Sequence, residues 1–272
     1  MRFFTRLVRR LSPLAPAILI AVSMGHAGAV ETAPHRAVYE LSLAKARTSQ
    51  TATSIDGRMV FLWKDVCDGW TIEYDTRMQM VFSKQGSRTL SWQYSVWEAN
   101  DSGKMRFYLQ RYMNGRPTLK RRGRATKGAD GGKAVITRPD RREIELPEGT
   151  MFPGEHSREL LDAAASGERF LHADVFDGTG ENDGLFTANA AILEAEAERA
   201  PEIDSKLLTG VASWRINLAF FAPDSRSSTP QSEQNVRYYA NGIATNLRLD
   251  YGDFVVAAEL TELKALERPD CG

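Results

Sequence analysis

From residue 35 onward apolar side chains recur at every second position, in one short segment after another. That period of two marks strands with one buried face. Ala37, Tyr39, Leu41 and Leu43 share a face, and Met59, Phe61 and Trp63 oppose Val60 and Leu62 after an Asp56-Gly57 turn signal. Trp70, Ile72 and Tyr74 follow, then Met78 to Phe82, then Leu90 to Trp97 with Trp92, Tyr94 and Val96 on one side. Met105 to Met113 repeats the alternation and ends at Asn114-Gly115, a strong hairpin signal. Short strands joined by short turns make consecutive antiparallel hairpins, so the chain is expected to be mainly β.

Residues 116–142 continue as a ribbon with ten basic residues against only Asp130 and Asp140, and with Gly128 to Gly132 as a loose turn. This is either a patch for anionic lipid, lipopolysaccharide or glycan phosphate, or a solvated hairpin whose cations prevent edge-to-edge pairing. The pattern changes at Pro147 to Gly154, and the spacing of His156, Leu160, Leu161 and Ala164 predicts a helix near residues 154–166, ended by Gly167. The loop Asp174-Val-Phe-Asp177-Gly-Thr-Gly-Glu181-Asn-Asp183-Gly is rich in oxygen ligands. Its spacing does not fit an EF-hand, and Asp, Asn and Gly are ordinary turn residues, so no metal is expected there. Thr187 to Ala200 is open between helix, on its Ala and Glu content, and strand, on Ala188, Ala190 and Ile192. Strands resume at Val211 to Phe221, Val236 to Tyr239, Ala244 to Leu249 and Phe254 to Leu263.

The first residues read differently. Arg2, Arg6, Arg9 and Arg10 precede an apolar run from Leu11 to Met24, and Ala27-Gly28-Ala29 supplies small residues for cleavage. Residues 1–29 are therefore expected to be a signal peptide, cut after Ala29 or, as second choice, Ala27. Residues 30–272 then form a single β-rich periplasmic domain. The apolar run is shorter than the roughly 20 residues that cross a bilayer, and no later run is long enough, so the protein is expected to be soluble after cleavage. Of 35 basic residues, removal of these four leaves 31 against 35 acidic ones, a net charge of −4 that argues against nucleic acid as a partner. Cys67 and Cys271 are the only cysteines, and an even count in an oxidising compartment reads as one disulfide. A redox pair or a thiol nucleophile are the alternatives, but there is no Cys-x-x-Cys and no single thiol left over.

Residues able to carry catalysis are sparse. His35, His156 and His172 lie far apart without metal-binding spacing, and there is neither a Gly-x-Ser-x-Gly elbow nor a phosphate-cradling glycine loop. His156 beside Glu155 is the best acid–base candidate, although a histidine in a first helical turn equally packs or caps. His156 and the compartment alone motivate a third reading, an envelope glycan hydrolase; no catalytic residue and no cofactor is expected. Trp63, Trp70, Trp92, Trp97 and Trp214 all fall in alternating strands, either as core or as the inner wall of a concave sheet that holds an acyl chain or a sugar.

Several segments together carry a family resemblance: His35-Arg-Ala-Val-Tyr-Glu-Leu-Ser-Leu, the Asp56-Gly-Arg strand entry, Cys67-Asp-Gly-Trp70, Leu146-Pro-Glu-Gly-Thr-Met-Phe-Pro-Gly-Glu-His156, Val175-Phe-Asp-Gly178 and the lone C-terminal Cys271. Over about residues 35 to 271 the chain resembles the EipB family of alphaproteobacterial cell-envelope integrity proteins. The resemblance implies a periplasmic location and a large antiparallel sheet wound into an open, spiral-like barrel that holds one helix. It also implies a disulfide between Cys67 and Cys271, and a non-enzymatic role in envelope maintenance. Such a shape is similar to periplasmic lipoprotein carriers such as LolA and LolB, which hold acyl chains in a hydrophobic concavity. The expected partners are accordingly an envelope component, lipid or glycan, or a periplasmic protein.

Overall fold

The computed structural model describes residues 31–47, 52–84, 86–179, 183–193 and 203–272. The expected signal peptide lies outside these. The first eight strands are β1 (His35–Ala46), β2 (Ala52–Asp65), β3 (Gly69–Phe82), β4 (Gly86–Ala99), β5 (Lys104–Met113), β6 (Arg116–Gly128), β7 (Gly131–Arg138) and β8 (Arg142–Leu146). Helix α1 (Pro153–Ser166) follows. The rest are β9 (Phe170–Phe176), β10 (Leu185–Ile192), β11 (Ser213–Phe221), β12 (Ser232–Tyr239), β13 (Ala244–Asp250) and β14 (Phe254–Ala265).

All fourteen strands form one sheet in the order β8-β7-β6-β5-β4-β3-β2-β1-β14-β13-β12-β11-β10-β9. Every neighbouring pair is antiparallel, and β1 pairs with both β2 and β14, so the first and last strands lie side by side. The two edges, β8 and β9, are consecutive in the chain and are separated only by the segment that contains α1. The sheet thus nearly closes into a barrel whose unsealed seam falls where the helix is inserted. An isolated parallel bridge tacks the seam: the Met151 N–H donates to the Asp174 carbonyl at 2.8 Å and the Phe176 N–H to the Met151 carbonyl at 2.9 Å.

Alternation sorts the side chains to the two faces. Tyr39, Met105 and Ile136 are buried inside, the last two each worth about 1.5–3 kcal/mol of apolar burial. Arg58, Arg106, Arg122, Arg124 and Arg248, at the opposite parity, are exposed outside. A membrane-spanning barrel has the reverse polarity, with an apolar band outside and a polar lumen. This outer face is built for water.

Helix α1 is held from both sides of its first turn. Pro153 occupies the first helical position, where its missing N–H is not needed. The Glu155 carboxylate turns back to accept the Phe152 N–H at 3.1 Å. Buried Glu98 of β4 accepts the Gly154 N–H at 2.7 Å and the Glu155 N–H at 3.2 Å, so a strand residue satisfies two orphan donors of the helix. At the other end Gly167 takes φ 85, the left-handed conformation that closes the helix, and its N–H reaches the Ala164 carbonyl at 3.2 Å. His156, Leu160, Leu161, Ala163 and Ala164 form the buried face.

Pairing settles one open reading and narrows another. The described part of the ambiguous stretch is strand β10, because hydrogen bonding to β9 and β11 outweighs the helix propensity of its alanines; residues 194–200 lie outside the described residues. The basic ribbon, residues 116–142, forms β6, β7 and the first residue of β8; β6 and β7 are paired on both sides, while β8 is the edge strand. Protection of a sheet edge therefore does not account for the cations of β6.

Candidate functional site

The inner face does not fill itself. It encloses a cavity of about 720 Å³, within the usual range for small-molecule sites. Phe61, Tyr74 and Tyr94 cross its middle on adjacent strands, with ring centroids 4.9 Å apart for the first pair and 6.2 Å for the second. Trp63 and Trp92 also line it. Trp70 packs 6.1 Å from Trp63, and Trp214 lies half-buried against the core. Trp97 has the opposite parity and points outward, its indole N–H on Asp68 at 3.3 Å. Of the five tryptophans, two therefore face the cavity.

The cavity has a plugged end and an open end. Helix α1 closes the first: Arg158 bonds Ser102 in the β4–β5 turn at 3.2 Å, Glu98 anchors the helix start, and Pro153, His156 and Ser157 form part of the wall. At the other end the lining residues Met113, Tyr251 and Phe254 sit at hairpin turns, and Tyr251 is 44% exposed. The loop after β9 folds inward to complete the wall. Tyr94 Oη donates to the Asp177 carbonyl at 2.9 Å, and Arg121 donates to the Gly178 carbonyl at 3.3 Å. Gly178 is required here twice over: its φ is 73, and a Cβ would come within 2.4 Å of the Phe107 ring.

Polar groups on the wall are few. Burial lowers the His156 imidazole to about 4, so it is neutral near pH 7. Desolvation pushes the Tyr238 phenol up to about 12 and raises Tyr74 and Tyr94 as well. Asp177 is raised by desolvation, against the pull of the Thr179 N–H and hydroxyl, each 2.7 Å from its carboxylate. Arg111 projects from β5 at the open end. The surface is mostly aliphatic, aromatic and thioether, and suits an apolar chain better than a sugar, whose hydroxyls need paired donors and acceptors.

The acid–base pair read from the sequence is not assembled. Glu155 binds Lys127 and the Phe152 N–H, while His156 turns to the cavity wall. The acids of the glycine-rich loop are likewise dispersed: Asp174 accepts from the Thr187 hydroxyl at 2.7 Å, Asp177 holds Thr179, and Asp183 pairs with Arg142 at 2.6 Å. Glu181 and Asn182 lie outside the described residues. His172 bonds Asn189 at 2.7 Å, and buried His35 bonds the Ala33 carbonyl at 2.7 Å. Cys67, in the β2–β3 turn, is joined to Cys271 in a disulfide with Cα atoms 5.5 Å apart across 204 residues. Glu98, Arg111 and Arg121 belong to no sequence motif; all three occupy inward-facing positions by strand parity, the one signal that marks them.

A family model described as EipB-like matches residues 26–267. The cell envelope integrity protein EipB of Brucella abortus (strain 2308) is 27% identical over 244 residues, covering 87% of this chain and 85% of the relative. Among solved structures, a β-barrel-like protein of a domain of unknown function from Brucella abortus superposes with a TM-score of 0.82 at 24% identity, covering 88% of this chain and 100% of that one.

Proposed function

The chain belongs to the EipB-like family, and on that premise we propose that it supports cell-envelope integrity without catalysis, by holding the apolar chain of an envelope lipid inside its open barrel. The observation that carries the reading is the cavity of about 720 Å³, plugged by α1 at one end and open at the other. An elongated amphiphile fits that shape, with its chain among Phe61, Met78 and Leu109 and its headgroup at the mouth. The workplace is the periplasm, on the strength of the expected signal peptide and of a disulfide that persists in an oxidising compartment.

Titration with cis-parinaric acid, a fatty acid that fluoresces when sheltered from water, tests this. Uptake should saturate at one site and be reversed by unlabelled fatty acid. Ala244→Trp, which fills part of the cavity, should weaken uptake at least fivefold while the protein stays folded by circular dichroism, at the roughly 1–3 kcal/mol that forcing extra bulk into a packed site costs. Uptake that never saturates, or that Ala244→Trp leaves unchanged, would refute the proposal.

A further inference from the structure

We infer that the outer face of the β5–β6 hairpin docks on an anionic phospholipid bilayer. Outward positions on this hairpin bring Arg106 opposite Arg124, Tyr108 opposite Arg122 and Gln110 opposite Lys120. All four cations are exposed, and among the described residues none has a carboxylate partner. Like charges directly opposite each other on a sheet are destabilising. Elsewhere in the sheet such pressure is relieved: Arg58 faces Arg77, but Glu262 sits 2.9 Å from Arg58, and Lys133 is flanked by Glu143 and Glu145. Here no described carboxylate relieves it. Residues 30–272, with more acidic than basic side chains, have gathered cations without a described carboxylate partner on one face, in strands that have no edge to guard.

Aromatic rings hold these cations in place. Arg106 lies over Trp97 at 4.5 Å, and Arg122 and Lys120 flank Tyr108 at 5.6 and 6.0 Å. Stacked guanidinium groups retain their donor forks, which match phosphate oxygens, and Tyr and Trp favour the headgroup level of a bilayer. The outward positions of the two strands carry cations, polar groups and aromatic rings but no exposed Leu, Ile, Val or Met side chain, a composition that matches a charged headgroup layer. The hairpin tip, Asn114-Gly115, with Arg111 beside it, stands at the cavity mouth, so docking along the hairpin sets the opening next to lipid.

Flotation of the whole protein with vesicles tests the inference, and because it reads surface attachment rather than cavity uptake, its outcome is separate from that of the parinaric acid titration. Wild-type protein should float with phosphatidylglycerol-containing vesicles, not with pure phosphatidylcholine, and should be released by high salt. Arg122→Ser/Arg124→Ser should weaken attachment about fivefold for each cation removed, at ~1 kcal/mol per charge. Arg77→Ser/Arg248→Ser, which removes the same charge from the outer face elsewhere, should leave attachment nearly unchanged. If the first pair melts early, Arg122→Gln/Arg124→Gln carries the same reading. The inference is overturned if wild-type protein does not float with phosphatidylglycerol vesicles, if both pairs weaken flotation equally, or if soluble polyglutamate captures the protein as strongly as vesicles do.

Discussion

The His156 imidazole, held near 4 by burial, takes up a proton in the unfolded chain well before it does so in the folded one. Between about pH 6.5 and 4 the unfolded state therefore binds more protons, so this contribution to stability is complete above pH 6.5 and is lost as pH falls towards 4. A shift of this size corresponds to roughly 3 kcal/mol. Buried His35, lowered for the same reason, acts in the same direction. Melting temperatures at pH 7 and pH 4.5 should show a larger acid-induced drop for wild-type protein than for His156→Leu. An identical drop in the two would mean that His156 is already solvated in the fold. Glycine 178 shows the limit of single-residue reading: its place in a turn was legible from Asp177-Gly178, but the Phe107 ring that excludes a side chain comes from a strand about seventy residues earlier in the chain.

At the scale of elements, α1 is the piece that turns an open sheet into a one-ended container, and Glu98 fixes it there. The carboxyl is raised by desolvation, while the Gly154 and Glu155 N–H groups and Arg158 pull it the other way. Glu98→Ala leaves two buried helix donors without their acceptor and should destabilise the protein by about 2–4 kcal/mol, at 1–3 for each orphaned group with partial relief by water. Denaturant melts would show this, and hydrogen exchange should show α1 opening ahead of the sheet. A variant as stable as wild type would mean that the plug is held by its apolar face alone. The helix itself was legible because its apolar spacing and Gly167 are local signals, and most strands were legible for the same reason. Their positions in the sheet were not. Whether β1 and β14 are edges or interior strands depends on their meeting each other, a pairing between opposite ends of the chain that no local pattern encodes. Glu98 was hidden likewise, since its partners lie 56 and 57 residues away.

For the whole molecule, one antiparallel circuit with its break at the helix gives an apolar interior, a charged exterior and a mouth at one end. The disulfide pins the strandless tail after β14 to the β2–β3 turn, and a loop of 204 residues gives up to about 5 kcal/mol of chain-entropy stabilisation. The inner wall could be anticipated from parity, as Trp63 and Trp92 illustrate. Its openness could not, because barrel width follows from strand number and tilt. On the proposed function, an apolar chain occupies this interior in the cell envelope. Native mass spectrometry of the protein, isolated from its own cell envelope without detergent, tests it most directly. A discrete adduct with the mass of a lipid is expected, released by organic solvent and diminished in Ala244→Trp. Protein that is repeatedly empty, at the mass of the polypeptide alone, would contradict it.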